Sequence, residues 1–276
     1  MDLQLGDGRF PFGAWQSSSF TAFLSSSAPE LLPRSPRTAS SAAGDLAHAT
    51  TIVAAVHERG VVLAGDRRAT AGNMISKRDV DKVFRGDDFC AVAIAGTLGL
   101  GLEFARLFQV ELEHQEKMDG APLTLTGKAH RLAALIRGNL GLALQGLVVV
   151  PLLAGYDTGS GTGRIFSYDP AGGPSEERDF YSIGSGSVFA RGALKKLYRE
   201  NLPPDEAVLC CVQALYDAAD DDSATGGPDV ARRIYPVAAM VTDEGFSRVP
   251  EPEMTRIAQQ VVASRMSSPD GPLARL

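Results

Sequence analysis

The sequence predicts an α+β fold in which sheets and helices stack in layers. Two observations carry that reading. Short apolar runs of strand character come in groups, two of them followed by a pair of helical patterns and a last strand by one, instead of alternating one for one as in βαβ units. The pattern also starts abruptly at Thr50, behind residues 1–49, which show little periodicity.

That first stretch holds the runs Ser17–Ser19 and Ser25–Ser27 together with Pro29, Pro33 and Pro36. Such a composition buries too little apolar surface to offset chain entropy. Phe10, Phe12, Trp15, Phe20 and Phe23 leave two readings open: a leader that docks while remaining dispensable, or a tail with stray aromatics. A secretory signal does not fit, because Asp2 and Asp7 stand in place of a basic start and no uninterrupted apolar segment follows.

From Thr50 the elements follow in order. Thr51–Val56 and Val61–Ala64 flank His57-Glu58-Arg59-Gly60 as a hairpin, and Phe89–Ala95 is a third strand. Leu98, Leu102, Ala105, Leu107, Phe108 and Leu112 then keep a helical spacing, with Glu103, Arg106, Glu111 and Glu113 opposite. A second helix is expected over 123–147, after Pro122. Strands follow at Leu152–Tyr156 and Ile165–Tyr168 around the turn Gly159–Gly163. Helices at Val188–Glu200 and Asp205–Asp220, a strand at Pro236–Val241 and a helix at Glu253–Ser264 complete the series.

Composition narrows the function. A hydrophobic fraction of 44% with 22% charged residues is ordinary for a globular chain. A formal net charge of −6 gives no basic footprint for nucleic acid or anionic membrane. The longest apolar stretch, Leu140 to Ala154, is interrupted by Gln145, Gly146 and Pro151 and is too short to span a bilayer, so a cytoplasmic protein is expected. Cys90, Cys210 and Cys211 form no CxxC pattern and read as buried free thiols.

Most familiar chemistries fail on position. His48, His57, His114 and His130 fall in the leader, a turn and two helices, with no GxSxG elbow beside them. Gly96–Gly101 is glycine-rich but is not GxGxxG, and Gly127-Lys128 lacks the upstream glycine of a phosphate loop. Asp217, Asp220, Asp221 and Asp222 miss the calcium-loop pattern, with Ala224 and Thr225 where ligand and turn glycine would be needed. What remains is Thr50. Threonine inside a chain is a poor nucleophile, but at a chain start its own α-amine can take the hydroxyl proton. Such an amine ordinarily titrates at about 7.7–8.0, which leaves a useful neutral fraction near neutral pH. Asp66 ends the second strand, Arg68 follows it, and Lys82 lies in Asp79-Val-Asp-Lys-Val83. A lysine held by a carboxylate would favour the alkoxide, and a backbone N–H at Gly96 would suit an oxyanion. On spacing alone, Asp66-Arg67-Arg68 is more often a salt-bridged turn.

The series Thr50-Thr-Ile-Val-Ala54, Gly65-Asp-Arg-Arg-Ala-Thr70, Asp79–Val83, Ile94-Ala-Gly96, Gly184-Ser-Gly-Ser187 and Asp220–Pro228 closely resembles the β-subunit family of the 20S proteasome, of the actinobacterial type. The likeness covers nearly all of 50–265 in the right order. It implies the four-layer αββα sandwich of N-terminal-nucleophile hydrolases and a threonine endopeptidase without cofactor or metal, the alternatives being a non-catalytic structural β-type subunit or another N-terminal-nucleophile amidohydrolase. By the same likeness residues 1–49 are a propeptide removed by self-cleavage at Ala49–Thr50, and 50–276 are the catalytic domain with a short flexible tail.

Position by position, the resemblance implies Thr50 as nucleophile and, through its amine, base. Asp66 and Lys82 stand beside it, and Ser185 and Asp222 hydrogen-bond around the amine and its water. Thr225 falls where the family often has serine. Gly96 matches the oxyanion N–H, and Thr70 a residue whose main chain pairs with an extended substrate. Ala69, Val80, Ile94 and Leu98 match the first specificity pocket; all four are apolar, so cleavage after apolar residues is expected. Thr51 is a rival nucleophile by composition, and the family pattern favours Thr50. One departure is Ala49, where the family usually has glycine. Alanine resists positive φ, so slower processing is expected. The resemblance further implies seven-membered β-rings capped by α-subunit rings, helices of 98–114 and 123–147 packed between subunits, a regulatory ring ATPase, and unfolded or tagged protein substrates.

Overall fold

The computed structural model describes residues 50–272. Strand β1 (Thr51–His57) turns through Glu58-Arg59 into β2 (Gly60–Gly65), as the hairpin pattern predicts. Side chains alternate along a strand, and here both faces are covered. Ile52, Ala54, Val61 and Leu63 enter one core, whereas Val53, Ala55, Val62 and Ala64 enter another. That split produces the layers.

The remaining strands are β3 (Ala69–Ala71), β4 (Met74–Lys77), β5 (Val83–Asp87), β6 (Cys90–Gly96), β7 (Val149–Asp157), β8 (Thr162–Tyr168), β9 (Pro174–Glu177), β10 (Phe180–Gly184), β11 (Val237–Thr242) and β12 (Gly245–Arg248). They form two five-stranded antiparallel sheets, ordered β10-β1-β2-β11-β12 and β5-β6-β7-β8-β9, with β3 and β4 as a separate hairpin. The sheets face each other across Ile52, Leu63, Ala91, Ala93, Leu152 and Ile165.

Helices cover both outer faces. Helices α1 (Leu98–Asp119) and α2 (Leu125–Gly138) lay Phe104, Phe108, Leu112, Leu132 and Ile136 on the second sheet. A short α3 (Leu140–Ala143) follows. Helices α4 (Ser187–Leu197), α5 (Pro204–Asp221) and α6 (Glu251–Ser267) cover the first sheet through Ala190, Leu194, Val208, Leu215 and Ile257. The result is a four-layer αββα sandwich with three stacked cores.

Two expectations need correction. The helix expected over 123–147 breaks at Asn139. Gly138 is a weak helix former, and the Asn139 side chain caps the Leu135 carbonyl at 2.9 Å, a local bond that competes with the helical ladder. The polar or short strands β3, β4, β5, β9, β10 and β12 were not expected. β10 and β5 matter most, because one precedes Ser185 and the other follows Lys82. No helix among the described residues is long and apolar enough to cross a membrane. The proposed cut at Ala49–Thr50 and the whole of 1–49 lie outside the described residues.

Candidate active site

Thr50 sits at the mouth of β1, where β1 lies between β2 and β10. Its carbonyl accepts the Ser185 N–H at 2.9 Å. That approach requires Gly184: its φ is +100°, and a Cβ there would stand 1.9 Å from the Thr50 carbonyl oxygen. The next residue, Thr51, points the other way. It is wholly buried, and its Oγ1 accepts the Gly186 N–H at 3.0 Å and lies 2.6 Å from Thr225 Oγ1. Strand alternation thus separates the two threonines, and only Thr50 lines the cavity that also receives Lys82.

Behind β1 lies a dry ion pair. Asp66 leaves the end of β2 fully buried, and each of its oxygens accepts two bonds. Oδ1 takes the Thr51 N–H at 2.8 Å and Lys82 Nζ at 2.6 Å. Oδ2 takes the N–H groups of Arg68 and Gly226, both at 2.8 Å. Lys82 arrives from the start of β5, in the other sheet, and also donates to the Arg68 carbonyl at 2.6 Å. Burial pulls the Lys82 ammonium below the usual lysine range, Asp66 opposes that shift, and the nearby Arg68 charge adds to it.

The other flank is more open. Ser185 follows β10 and Asp222 follows α5. Asp222 Oδ2 accepts the hydroxyls of Ser185 and Thr225, each at 2.6 Å, while Oδ1 accepts the Ala224 N–H at 3.1 Å. Ser185 Oγ also lies 3.4 Å from the Thr50 carbonyl oxygen. Asp222 is therefore occupied by hydrogen-bond donors.

A cavity joins Thr50 to Lys82, and Ser185 and Asp222 lie outside its lining. Thr50 and Lys82 line it together with Gly96, Ala69, Ile94 and Leu98. Gly96, at the end of β6, has φ +107°, and a Cβ there would meet the Val148 carbonyl oxygen at 2.2 Å, so only glycine fits. Val80 is buried outside this lining, its N–H on the Arg67 carbonyl at 3.0 Å. Thr70 also lies outside it, half-buried on β3 where the pairing with β4 slips by a residue.

A sequence signature described as "Proteasome subunit" matches residues 46–231. The chain belongs to the proteasome subunit family. It is 61% identical to a proteasome subunit beta of Streptosporangium roseum over 260 residues, covering 94% of this chain and 92% of the relative. It is 56% identical to a proteasome subunit beta of Streptomyces griseus over 272 residues, covering 98% and 97%. A third relative, proteasome subunit beta 2 of Thermomonospora curvata, is 56% identical over 266 residues, covering 96% and 95%. Proteasome β-subunit membership fits the fold and places the chain among peptide-bond hydrolases of protein degradation.

Within this family, sequence reasoning missed part of the cavity. Asp81, Phe84, Thr97, Gly101 and Leu102 also line it. Helical spacing could have found two of them, since Gly101 and Leu102 lie three and four residues beyond Leu98. Gly101 makes room for Ile94, whose Cγ2 would be 2.8 Å from an added Cβ. Asp81 gives the pocket rim a carboxylate, tied at 2.9 Å to Arg248.

Proposed function

We propose that the chain is a catalytic β subunit of the proteasome core particle, a threonine endopeptidase with Thr50 as its nucleophile. The observation that carries this reading is Thr50 sharing one cavity with Lys82, whose ammonium is clamped by the buried Asp66. Cutting the Ala49–Thr50 bond frees the α-amine. That amine takes the Thr50 Oγ proton as the oxygen attacks a peptide carbonyl, while the Lys82 charge favours the alkoxide. The Gly96 N–H receives the negative oxygen of the tetrahedral intermediate. Its collapse breaks the C–N bond, and the protonated amine passes its proton to the departing peptide. Water then attacks the ester, giving the second peptide and restoring the threonine. Ser185 and Asp222 orient the amine and this water.

The apolar side chains of Ala69, Ile94, Leu98, Phe84 and Leu102 support cleavage after apolar residues. Asp81 at the rim is the one feature that would extend this to basic side chains, and a fluorogenic peptide panel decides between the two. Leu107, Val110 and Met118 on α1 are exposed in the single chain. This supports assembly with further subunits; the family likeness suggests seven-membered β-rings, α-subunit rings and a ring ATPase feeding tagged or unfolded cytoplasmic proteins. The test is Thr50→Ala: peptide and casein cleavage should vanish while ring assembly persists. An intact mass showing a new N-terminus at Thr50 in the wild type completes it. Retained peptidase activity in Thr50→Ala would overturn the reading.

A further inference from the structure

Thr51 is more than the residue behind the nucleophile. Its side chain closes a directed hydrogen-bond chain that no step of the proposed mechanism uses. Thr225 Oγ1 spends its one proton on Asp222 Oδ2 at 2.6 Å. The 2.6 Å contact between Thr51 Oγ1 and Thr225 Oγ1 must then run from Thr51 to Thr225. Thr51 Oγ1 in turn accepts the Gly186 N–H at 3.0 Å. The sequence of donors is Gly186 N–H, Thr51 hydroxyl, Thr225 hydroxyl, Asp222 carboxylate, each bond polarising the next. The packing around it is specific, because a Cβ on Gly186 would lie 2.5 Å from Thr51 Oγ1 and 2.7 Å from Thr225 Oγ1.

We infer that Thr51 is a positioning residue: its hydroxyl fixes Asp222 and the Ser185–Gly186 turn relative to the Thr50 amine. The inference rests on Thr50 being the nucleophile. Thr51 suits the role because its backbone is pinned separately. Its N–H donates to Asp66 Oδ1 at 2.8 Å, and its carbonyl accepts the Asp66 N–H at 3.1 Å. One buried residue therefore ties the Asp66–Lys82 flank to the Asp222 flank, through its main chain on one side and its hydroxyl on the other.

Thr51→Val keeps the shape and both Asp66 bonds but removes the hydroxyl. In assembled particles carrying the Thr50 N-terminus, kcat should fall on the order of 10- to 100-fold, the range expected for small misplacement of a catalytic group. KM should stay within about twofold, as for an interaction that acts on the chemical step rather than on binding. The acid limb of the kcat/KM profile should move, because the surroundings of the titrating amine change. Thr51→Ser should restore both readouts. Thr225→Val, which cuts the same link from its other end, should cost a similar factor, and the double variant little more. Should Thr51→Val fail to assemble, Thr225→Val and Thr51→Ser carry the test. Wild-type kcat and pH profile in the valine variants, or a serine variant as weak as valine, overturns the inference. Thr50→Ala run in parallel separates the two claims: if it is dead while Thr51→Val is normal, only the role of Thr51 falls.

Discussion

The two polar flanks of Thr50 are built on opposite plans. On one side Asp66 and Lys82 are 0% and 2% exposed, and Asp66 is saturated by three backbone N–H groups and the ammonium. On the other side Ser185 is exposed and Asp222 half-buried, and both sit where a strand or helix ends in a loop. A buried charge is costly unless fully paired, so the first flank cannot change one member without consequence for folding. On the second, Ser185 and Asp222 stay near water, where water can replace a lost partner, although Thr225 and Thr51 behind them are buried. Stability and catalysis are thus coupled on one flank and separable on the other.

The largest effect should come from Asp66→Asn, which leaves the Lys82 charge buried with a neutral amide. A loss of about 3–5 kcal/mol is expected for a broken buried pair, together with loss of peptidase activity. Denaturant unfolding of the variant checks it, and a stable Asp66→Asn particle would break the contrast. Lys82→Met should act differently. Asp66 keeps its Thr51, Arg68 and Gly226 N–H donors, so the loss of stability should be smaller than for Asp66→Asn and assembly should survive. Activity should fall by about 10²–10³, the scale of losing one preorganised electrostatic group.

The far end of β1 provides a stability effect unconnected with catalysis. His57 is buried, its Nδ1 accepts the Arg59 N–H at 3.2 Å, and its Nε2 has no hydrogen-bond partner among the described residues. Burial, with the Arg59 charge adding, pushes its pKa down to about 4 from 6.5. The folded state thus disfavours the charged ring, and the unfolded chain binds the proton first. The resulting stability is complete above pH 6.5 and is lost as pH falls toward about 4, by up to about 3 kcal/mol. Unfolding curves from pH 7 to 4.5 should be flatter for His57→Gln than for wild type. Equal slopes would refute this account, and the difference keeps acid unfolding apart from titration of the Thr50 amine.

The two flanks also differed in how far the sequence revealed them. Asp66 ends an expected strand and Lys82 lies in the charged run Asp79–Val83, so residue type already suggested a held cation, although β5, which Lys82 precedes, was not expected. The second flank is assembled across long separations: Thr51 pairs with Gly184 in the β1–β10 ladder, and its hydroxyl meets Thr225. No local periodicity encodes such a meeting, and β10 itself is a short edge strand with a weak pattern. The cores were legible for the opposite reason, because runs such as Ile52–Ala55 and Val61–Ala64 announce strands buried on both faces. The break at Asn139 was not, since apolar content alone does not report a side chain that caps its own helix.

The smallest effect should come from Ser185→Ala, and it tests the open flank most directly. The lost bond is the 2.6 Å contact to Asp222 Oδ2, at an exposed position. Asp222 keeps the Thr225 hydroxyl and the Ala224 N–H, so it is not stranded. A net hydrogen bond of about 1 kcal/mol corresponds to a kcat loss of roughly 3- to 10-fold. Unfolding should be unchanged, because water replaces the serine on the solvent side. A kcat loss as deep as that of Lys82→Met, or a destabilisation approaching that of Asp66→Asn, would mean that Ser185 holds something Thr225 cannot. The open flank would then be as tightly coupled as the buried one, and the contrast between them would rest on exposure alone.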